Sequence, residues 1–135
     1  LAIALAFACV GCGKSGPPRK TVYPVSGQVL VDGKPAEQAV VYLHPVKKVE
    51  NLGRPFGTVK ADGSFQIGTY LSNDGAPAGE YAVTVVWQKN MIVEGEERSG
   101  PDQLGDRYSN PSQPIAKITV IEGENILKPI QLKKR

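Results

Sequence analysis

Short stretches of alternating apolar and polar residues, each followed by a turn sequence, constrain the fold of this chain more than any other feature. From Val25 to Val31, every second residue is a valine or a glycine, and mostly polar residues lie between them. This period of two is typical of a strand that is buried on one face only. Asp32-Gly33 follows directly and favours a tight turn between paired strands.

The same pattern recurs along the chain and predicts short strands without a substantial helix. The predicted strands are residues 25–31, 39–44, 56–60, 64–69, 80–88, 115–121 and 125–132. The strand at 80–88 is apolar on both faces and should be central in its sheet, whereas Pro129 should place the last strand at an edge. Seven short strands with turn signals every ~8–12 residues predict an all-β fold, an antiparallel seven-stranded sandwich.

Residues 90–114 do not follow this pattern. They form a long, charged segment that is poor in β-branched residues. Loops of more than ~12–15 residues in a compact domain are usually functional or disordered. We therefore expect this segment to be irregular and to carry any contact with a partner.

The chain begins with an apolar run, LAIALAFACVGC, that ends at Cys12. Such a run matches the hydrophobic region of a secretory signal peptide and is shorter than the ~20 residues that a membrane-spanning helix needs. Cys9-Val10-Gly11-Cys12 is similar to a bacterial lipobox, in which the cysteine after a small residue receives a diacylglyceryl group. The alternatives are an ordinary secretory peptide cleaved nearby, with Cys12 as a bystander, and a folded apolar strand.

The lipobox interpretation divides the chain into three parts and locates it in the bacterial cell envelope. Residues 1–11 would be the remnant of a signal peptide, 12–21 the lipidated Cys12 with its tether, and 22–135 the β-sandwich domain. Glycine, serine and proline in the tether are typical of a linker. The expected partner is then a membrane, contacted through the lipid anchor, with the domain exposed outside the cytoplasm.

The size and charge of the chain exclude some classes of function. The chain has 135 residues, and the part after the tether is long enough to bury a core without disulfides or metals. Its net charge is +3, with much of the excess at residues 14–20 and 133–135. A nucleic-acid-binding domain carries basic residues and interleaved aromatics on one folded face. The sequence shows no such stripe, so we expect no nucleic-acid partner.

Three motifs carry a resemblance to the carboxypeptidase regulatory-like domains, which are small β-sandwiches of transthyretin-like topology. The motif VSGQV with DGKP (25–35) resembles their opening strand and turn, TVKADGSF (58–65) their next turn, and GEYAVTV (79–85) the following strand. The resemblance implies a transthyretin-like sandwich within a bacterial lipoprotein. It implies no reaction, because the related carboxypeptidase domain is an accessory module without catalytic residues.

Few residues suit metal or cofactor chemistry. Asp32 and Asp62 each precede glycine, where the carboxylate accepts a backbone hydrogen bond and the glycine supplies a positive φ. Calcium binding is the alternative, but the alternating oxygen ligands and closing glutamate of an EF-type loop are missing. His44 is the only histidine, and a zinc site needs several nitrogen or sulfur ligands. We expect no metal and no cofactor.

The carboxylates of the 90–114 segment leave one catalytic hypothesis open. They are Glu94, Glu96, Glu97, Asp102 and Asp106. Glycoside cleavage needs two carboxyl groups held ~5–9.5 Å apart across the sugar, so an envelope hydrolase is the alternative to a solvated run of charge. The chain also lacks a Gly-x-Ser-x-Gly motif for a serine nucleophile. We therefore expect no catalytic residue and no enzyme.

Aromatic side chains near the same segment are the best candidates for a binding surface. Trp87 ends the most apolar strand, and Arg107 and Tyr108 lie within the long segment. Exposed rings on a sandwich can stack on sugars, although packing at the rim of the core is the simpler role for Trp87. The sequence thus predicts a non-catalytic, lipid-anchored binding or structural module, with an envelope protein or polysaccharide as partner. A carbohydrate- or wall-binding lipoprotein is the alternative of the same kind.

Overall fold

The computed structural model describes residues 19–49 and 52–134, so the predicted signal remnant and the predicted lipidation site, Cys12, lie outside the described residues. Within these two ranges the chain contains no helix, as the sequence predicts, and consequently none that could cross a membrane. The strands, in chain order, are β1 (Val22–Tyr23), β2 (Val25–Val31), β3 (Lys34–Pro35), β4 (Val40–Pro45), β5 (Phe56–Thr58), β6 (Ser64–Gln66), β7 (Ala76–Pro77), β8 (Gly79–Val86), β9 (Gln88–Val93), β10 (Glu96–Asp102), β11 (Ala116–Val120), β12 (Asn125–Ile126) and β13 (Ile130–Leu132).

Most of these strands belong to two sheets. The first has the order β11-β8-β4-β5, and all its neighbouring strands are antiparallel. The second is built around β2, which pairs antiparallel with β3 and β6 and parallel with β12 and β13. Because β8 lies between β4 and β11, the central position predicted for residues 80–88 is confirmed.

The core lies between the two sheets and follows the alternation of the sequence. Val25, Val29 and Val31 of β2 are buried against Val83 and Val85 of β8 in one cluster. Each fully buried valine contributes ~1.5–3 kcal/mol relative to an exposed one. The other large aliphatic and aromatic side chains of this cluster are Val41, Leu43, Val59, Phe65, Ile67, Tyr81, Leu104, Val120, Ile130 and Leu132. The predicted all-β fold is therefore confirmed, and the arrangement is consistent with a β-sandwich, but the described ranges contain thirteen strands rather than the seven predicted.

Both Asp-Gly sequences form the predicted turns. Asp32 and Gly33 have φ values of 51° and 80°, which suit a two-residue turn that follows the twist of the strands, and they join β2 to β3. Asp62 Oδ1 accepts hydrogen bonds from the backbone amide (2.9 Å) and the hydroxyl (2.6 Å) of Ser64, and Gly63 has a φ of 90°. The Asp62 side chain therefore closes its own turn.

The Asp62-Gly63 turn between the predicted strands 56–60 and 64–69 favours a hairpin, but these two strands do not pair as one. β5 joins the first sheet, whereas β6 joins the second. Near their far ends the two segments share a single bridge between Phe56 and Gly68. A local turn signal shows that the chain reverses, but it does not show that the two strands enter different sheets.

The last strands depart from the fully antiparallel arrangement that the sequence predicts. After β11 the chain crosses from the first sheet to the second, and β12 and β13 then run parallel to β2. The Asn125 side chain holds this crossing through hydrogen bonds to the backbone of Ile121, Gly123 and Pro24. A tight turn forces antiparallel pairing, whereas a crossing between sheets does not. Among the described strands, β12 and β13 pair with β2 alone, so the edge position predicted from Pro129 is confirmed.

The prediction that residues 90–114 are irregular is wrong for the first part of the segment. β9 and β10 form an antiparallel ribbon, in which Ile92 lies opposite Glu97. The strands are joined at Glu94 and Gly95, which have φ values of 53° and 79°. Most of the ribbon is exposed on both faces, so no apolar–polar alternation marks it in the sequence. The chain then continues through turns, from which Leu104 enters the core.

Candidate functional site

Trp87, one of the three predicted binding residues, packs at the rim of the core. It follows β8 directly, and its ring is half-buried. Its Nε1 donates a 2.8 Å hydrogen bond to the carbonyl of Glu37, and its backbone amide donates to Asp102 Oδ1 at 2.9 Å. The indole nitrogen and the backbone amide of Trp87 therefore both form hydrogen bonds within the protein.

Arg107 and Tyr108, the other two predicted residues, contact the backbone of Lys133, and Trp87 lies beside the next residue, Lys134. Arg107 Cζ lies 5.4 Å from the centre of the Tyr108 ring, and Lys134 Nζ lies 6.0 Å from the centre of the Trp87 ring, within reach of cation–π attraction. The Tyr108 hydroxyl lies 3.3 Å from both the backbone nitrogen and the carbonyl of Lys133. These contacts join the chain's last strand to the core, and a ligand role for the three residues stays a prediction.

A second aromatic surface, not predicted from the sequence, lies on the outer face of the first sheet. It consists of Tyr42, His44 and Phe56, and we call it the Phe56 surface. The ring centres of Tyr42 and Phe56 are 6.1 Å apart, and those of Tyr42 and His44 are 6.4 Å apart, which are favourable separations for tilted rings. Arg54 Cζ lies 4.7 Å above the Tyr42 ring. Phe56 keeps 52% of its surface exposed.

A cleft with a volume of about 430 Å³ adjoins this surface, at the place where β5 and β6 enter different sheets. The described residues that line it are Phe56, Gly57, Thr58, Gln66, Gly68, Thr69, Tyr70, Leu71, Ser72 and Asn73. None of them is an aspartate, glutamate, lysine, arginine or histidine. A few neutral hydrogen-bonding groups beside an aromatic ring are typical of a site for a neutral, polar ligand.

The floor of the cleft is main chain, because glycines allow two segments to approach closely. A Cβ atom on Gly57 would collide with the carbonyl of Gln66, and one on Gly68 would collide with the carbonyl of Leu71. Any residue larger than glycine at position 57 or 68 would therefore fill the cleft from below or push its walls apart.

His44 contributes an imidazole to the Phe56 surface. Its Nε2 lies 2.8 Å from Oγ1 of the buried Thr84. Burial, and to a lesser degree the guanidinium of Arg54, lower the pKa of His44 below its usual value of 6.5. Within the described ranges, no group of three or more His, Cys, Asp or Glu side chains could hold a metal ion.

Two of the five carboxylates of the 90–114 segment, Asp102 and Glu96, make structural contacts. Asp102 accepts hydrogen bonds from the backbone amides of Leu104 and Asp106, in addition to that of Trp87. Glu96 lies 3.7 Å from Arg98 on the exposed ribbon. These contacts give no support to the alternative of a hydrolase that uses this segment.

One sequence signal could have revealed part of the Phe56 surface. Tyr42 and His44 alternate with the core residues Val41 and Leu43, so both must lie on the outer face of the strand. The third member, Phe56, joins them only through the register of β4 and β5, which sets it opposite Tyr42.

Neither a protein-family model nor a curated protein matches this chain. Among solved structures, a 9R-lipoxygenase from Cyanothece PCC8801 matches 87% of this chain with 12% identity and a TM-score of 0.45, and the chain spans 18% of that protein. A candidate carbohydrate-binding protein from Pseudomonas aeruginosa matches 86% of this chain and 90% of its own length, with 10% identity and a TM-score of 0.43.

An (S)-allantoin synthase matches 85% of this chain and 42% of its own length, with 14% identity and a TM-score of 0.46. Similarities this weak decide neither the type of sandwich nor the function.

Proposed function

We propose that this chain is a non-catalytic carbohydrate-binding module, held at the bacterial cell envelope through a lipidated Cys12. The observation that carries the proposal is the exposed ring of Phe56, which belongs both to the aromatic surface with Tyr42 and to the wall of the cleft. A sugar ring presents an apolar C–H face that packs on an aromatic ring, and hydroxyl groups that need hydrogen-bond partners.

The chemistry of the cleft supports a neutral glycan as the ligand. Thr58, Gln66 and Asn73 supply hydroxyl and amide groups, each of which can donate and accept hydrogen bonds. A charged ligand that leaves water needs a charged partner in its site. The described lining offers no such partner, so we expect hexose or pentose units without carboxylate or phosphate groups.

The same lining supports binding rather than cleavage. Retaining and inverting glycosidases both place two carboxyl groups beside the bond that breaks. The described lining residues include neither aspartate nor glutamate, and the nearby His44 already hydrogen-bonds Thr84.

The proposed location and family rest on the sequence. The apolar run that ends at Val10-Gly11-Cys12, followed by a polar tether, supports lipidation. A lipoprotein cysteine carries more than one acyl chain, which is what stable anchoring requires. The motifs VSGQV, TVKADGSF and GEYAVTV support a carboxypeptidase regulatory-like domain, and with it a sandwich of transthyretin-like type.

Affinity electrophoresis of the protein in gels that contain neutral polysaccharides tests the binding function. A ligand polysaccharide should retard the protein, and Phe56→Ala should weaken that binding about tenfold, which corresponds to ~1.4 kcal/mol. Ile92→Ala is the matched control, because Ile92 is 80% exposed and lies on the ribbon. Equal retardation of the two variants, or no retardation by any neutral polysaccharide, would overturn the proposal.

A further inference from the structure

The chain enters the sandwich at one end, and the pairing of β1 with β7 fixes this point. Val22 lies opposite Pro77, and just before it the backbone amide of Lys20 donates a 3.0 Å hydrogen bond to the Tyr70 hydroxyl. β8 also begins here, at Gly79. We call this the tether end of the sandwich. If Cys12 is lipidated, the residues from 13 to 20 separate the lipid from this end.

That separation is short. Eight residues, 13–20, span at most ~29 Å when fully extended. A domain tied this closely to a bilayer meets it at a high effective concentration, so even a weak contact between the two is populated. The side chains at the tether end therefore decide how the domain lies on the membrane.

Exposed aliphatic side chains lie at this end. Val46 follows β4 and is 48% exposed, and its backbone amide donates a 2.9 Å hydrogen bond to the carbonyl of Glu80, at the start of β8. Leu71 is 66% exposed and follows Tyr70, the residue that holds Lys20.

A groove of about 360 Å³ lies between the end of β4 and the start of β8, and much of its described lining is apolar. Pro45, Pro77 and Tyr81 contribute to its lining. The Tyr81 hydroxyl donates a 2.6 Å hydrogen bond to the carbonyl of Pro77, and burial raises the pKa of Tyr81 to about 12. These three residues therefore offer no charge and no free hydroxyl proton.

Cations surround this groove. Lys20 and Lys47 belong to its lining, and Arg19 and Lys48 are their exposed neighbours. The described lining contains one carboxylate, that of Glu80. Cations around apolar lining residues match the chemistry of an anionic lipid surface, which attracts lysine and arginine at its headgroups and accepts aliphatic side chains below them.

We propose that the groove side of the tether end, formed by Lys20, Val46, Lys47, Lys48 and Leu71, lies on the anionic bilayer surface that holds Cys12. The proposal rests on the proposed lipidation. Ile121, with Glu122 and Glu124 beside it, follows β11, which pairs with β8 on the side opposite Pro45.

This contact would hold the glycan site close to the membrane. Leu71 belongs both to the proposed contact and to the lining of the cleft beside Phe56. A bound glycan would therefore lie next to the bilayer rather than at the far end of the domain, where Trp87 is.

Site-specific labels on the membrane-bound protein test the contact. The chain has two cysteines, Cys9 and Cys12, and lipidation with cleavage before Cys12 leaves neither as a free thiol. In Val46→Cys and Ile92→Cys, the new cysteine is then the only thiol, and each can carry a polarity-sensitive fluorophore. The lipidated proteins are placed in phosphatidylcholine vesicles with or without phosphatidylglycerol, and vesicle flotation first measures whether they are bound.

With phosphatidylglycerol present, the label at residue 46 should shift to shorter wavelength and be quenched by spin-labelled lipid, whereas the label at residue 92 should do neither. Lys47→Gln with Lys48→Gln should reduce the shift at residue 46 without releasing the protein from the vesicles. Proteins that float but show equal, water-like signals at both positions would overturn the contact and leave the anchor standing. Proteins that do not float would overturn both the contact and the lipid anchor. Glycan binding is measured in a separate experiment and does not depend on either result.

Discussion

The imidazole Nε2 of His44 and the hydroxyl of Thr84 lie 2.8 Å apart, across the pairing of β4 with β8. Thr84 is 1% exposed, so the hydrogen bond satisfies a hydroxyl that water does not reach. Partial burial of the imidazole itself, with Arg54 close by, lowers the pKa of His44 below its usual value of 6.5. The folded protein therefore favours the neutral imidazole.

Acidification should destabilise the protein through His44. Below about pH 6.5 the unfolded chain takes up a proton that the folded protein resists, so the free energy of unfolding falls as the pH falls through this range. Above it, the imidazole is neutral in both states and contributes no pH dependence. Urea unfolding at a series of pH values should show a steeper loss of stability for the wild type than for His44→Gln. Parallel curves would mean that His44 is not the titrating group.

Close packing between β5 and β6 predicts that Gly57→Ala destabilises the fold. The added methyl group would collide with the carbonyl of Gln66, and the two strands are held by different sheets. Overpacking of this kind costs about 1–3 kcal/mol, which urea unfolding can measure. Gly53→Ala is the control, because a Cβ there meets no atom within 4 Å. Equal stability of the two variants would contradict the packing described for the cleft floor.

The Asp62-Gly63 turn should depend on backbone geometry and not on a bound cation. Gly63 has a φ of 90°, and a left-handed conformation costs a side-chain-bearing residue such as valine ~1–2 kcal/mol. Gly63→Val should therefore lower the free energy of unfolding by about that amount. Chelators should leave the melting temperature of the wild type unchanged, because Ser64 already supplies the partners of Asp62. A fall of several degrees with chelator would reveal a cation.

Those strands that are buried on one face could be predicted from the sequence, because burial imposes the period of two. β2 shows this most clearly, since its buried residues are the alternating ones from Val25 to Val31. The β9–β10 ribbon has no buried face and so leaves no such signal. The parallel direction of β13 depends on the crossing that Asn125 holds, and no local pattern encodes where a crossing strand will pair.

The candidate site was less predictable than the fold for a related reason. Tyr42 and His44 could be assigned to one face of their strand, but Phe56 reaches them across the connection between β4 and β5. The sequence predicts a binding surface at Trp87 and Tyr108 because they lie in or near a long polar segment. The structure shows that their polar atoms bond to the backbone of Glu37 and Lys133, contacts between residues far apart in the sequence.

Lipidation predicts that Cys12→Ser changes where the protein is found. Without the thiol, the diacylglyceryl group cannot be attached, so the protein should appear in the soluble fraction or keep its uncleaved leader. Cys9→Ser should change neither the membrane fraction nor the mass of the mature N-terminus, because cleavage before Cys12 removes residue 9. Membrane partition and mass spectrometry of the N-terminal peptide measure both effects. An unchanged mass and partition for Cys12→Ser would exclude the anchor.

The ribbon and the turns after it should respond differently to deletion. Most residues from 90 to 99 are exposed, and the entropy of closing a loop grows only slowly with its length. Replacing residues 90–99 with a short turn should therefore change the free energy of unfolding by roughly 1 kcal/mol or less. Glycan binding should be retained, because the Phe56 surface and its cleft include no residue of the ribbon.

Removal of the whole segment 90–114 should instead abolish folding, because Leu104 is fully buried in the core and Asp102 bonds the backbone amide of Trp87. Leu104→Ala alone should cost ~2–5 kcal/mol. Circular dichroism during thermal unfolding compares the two deletions and this variant. A folded 90–114 deletion, or a Leu104→Ala variant as stable as the wild type, would show that the turns after the ribbon are not part of the core.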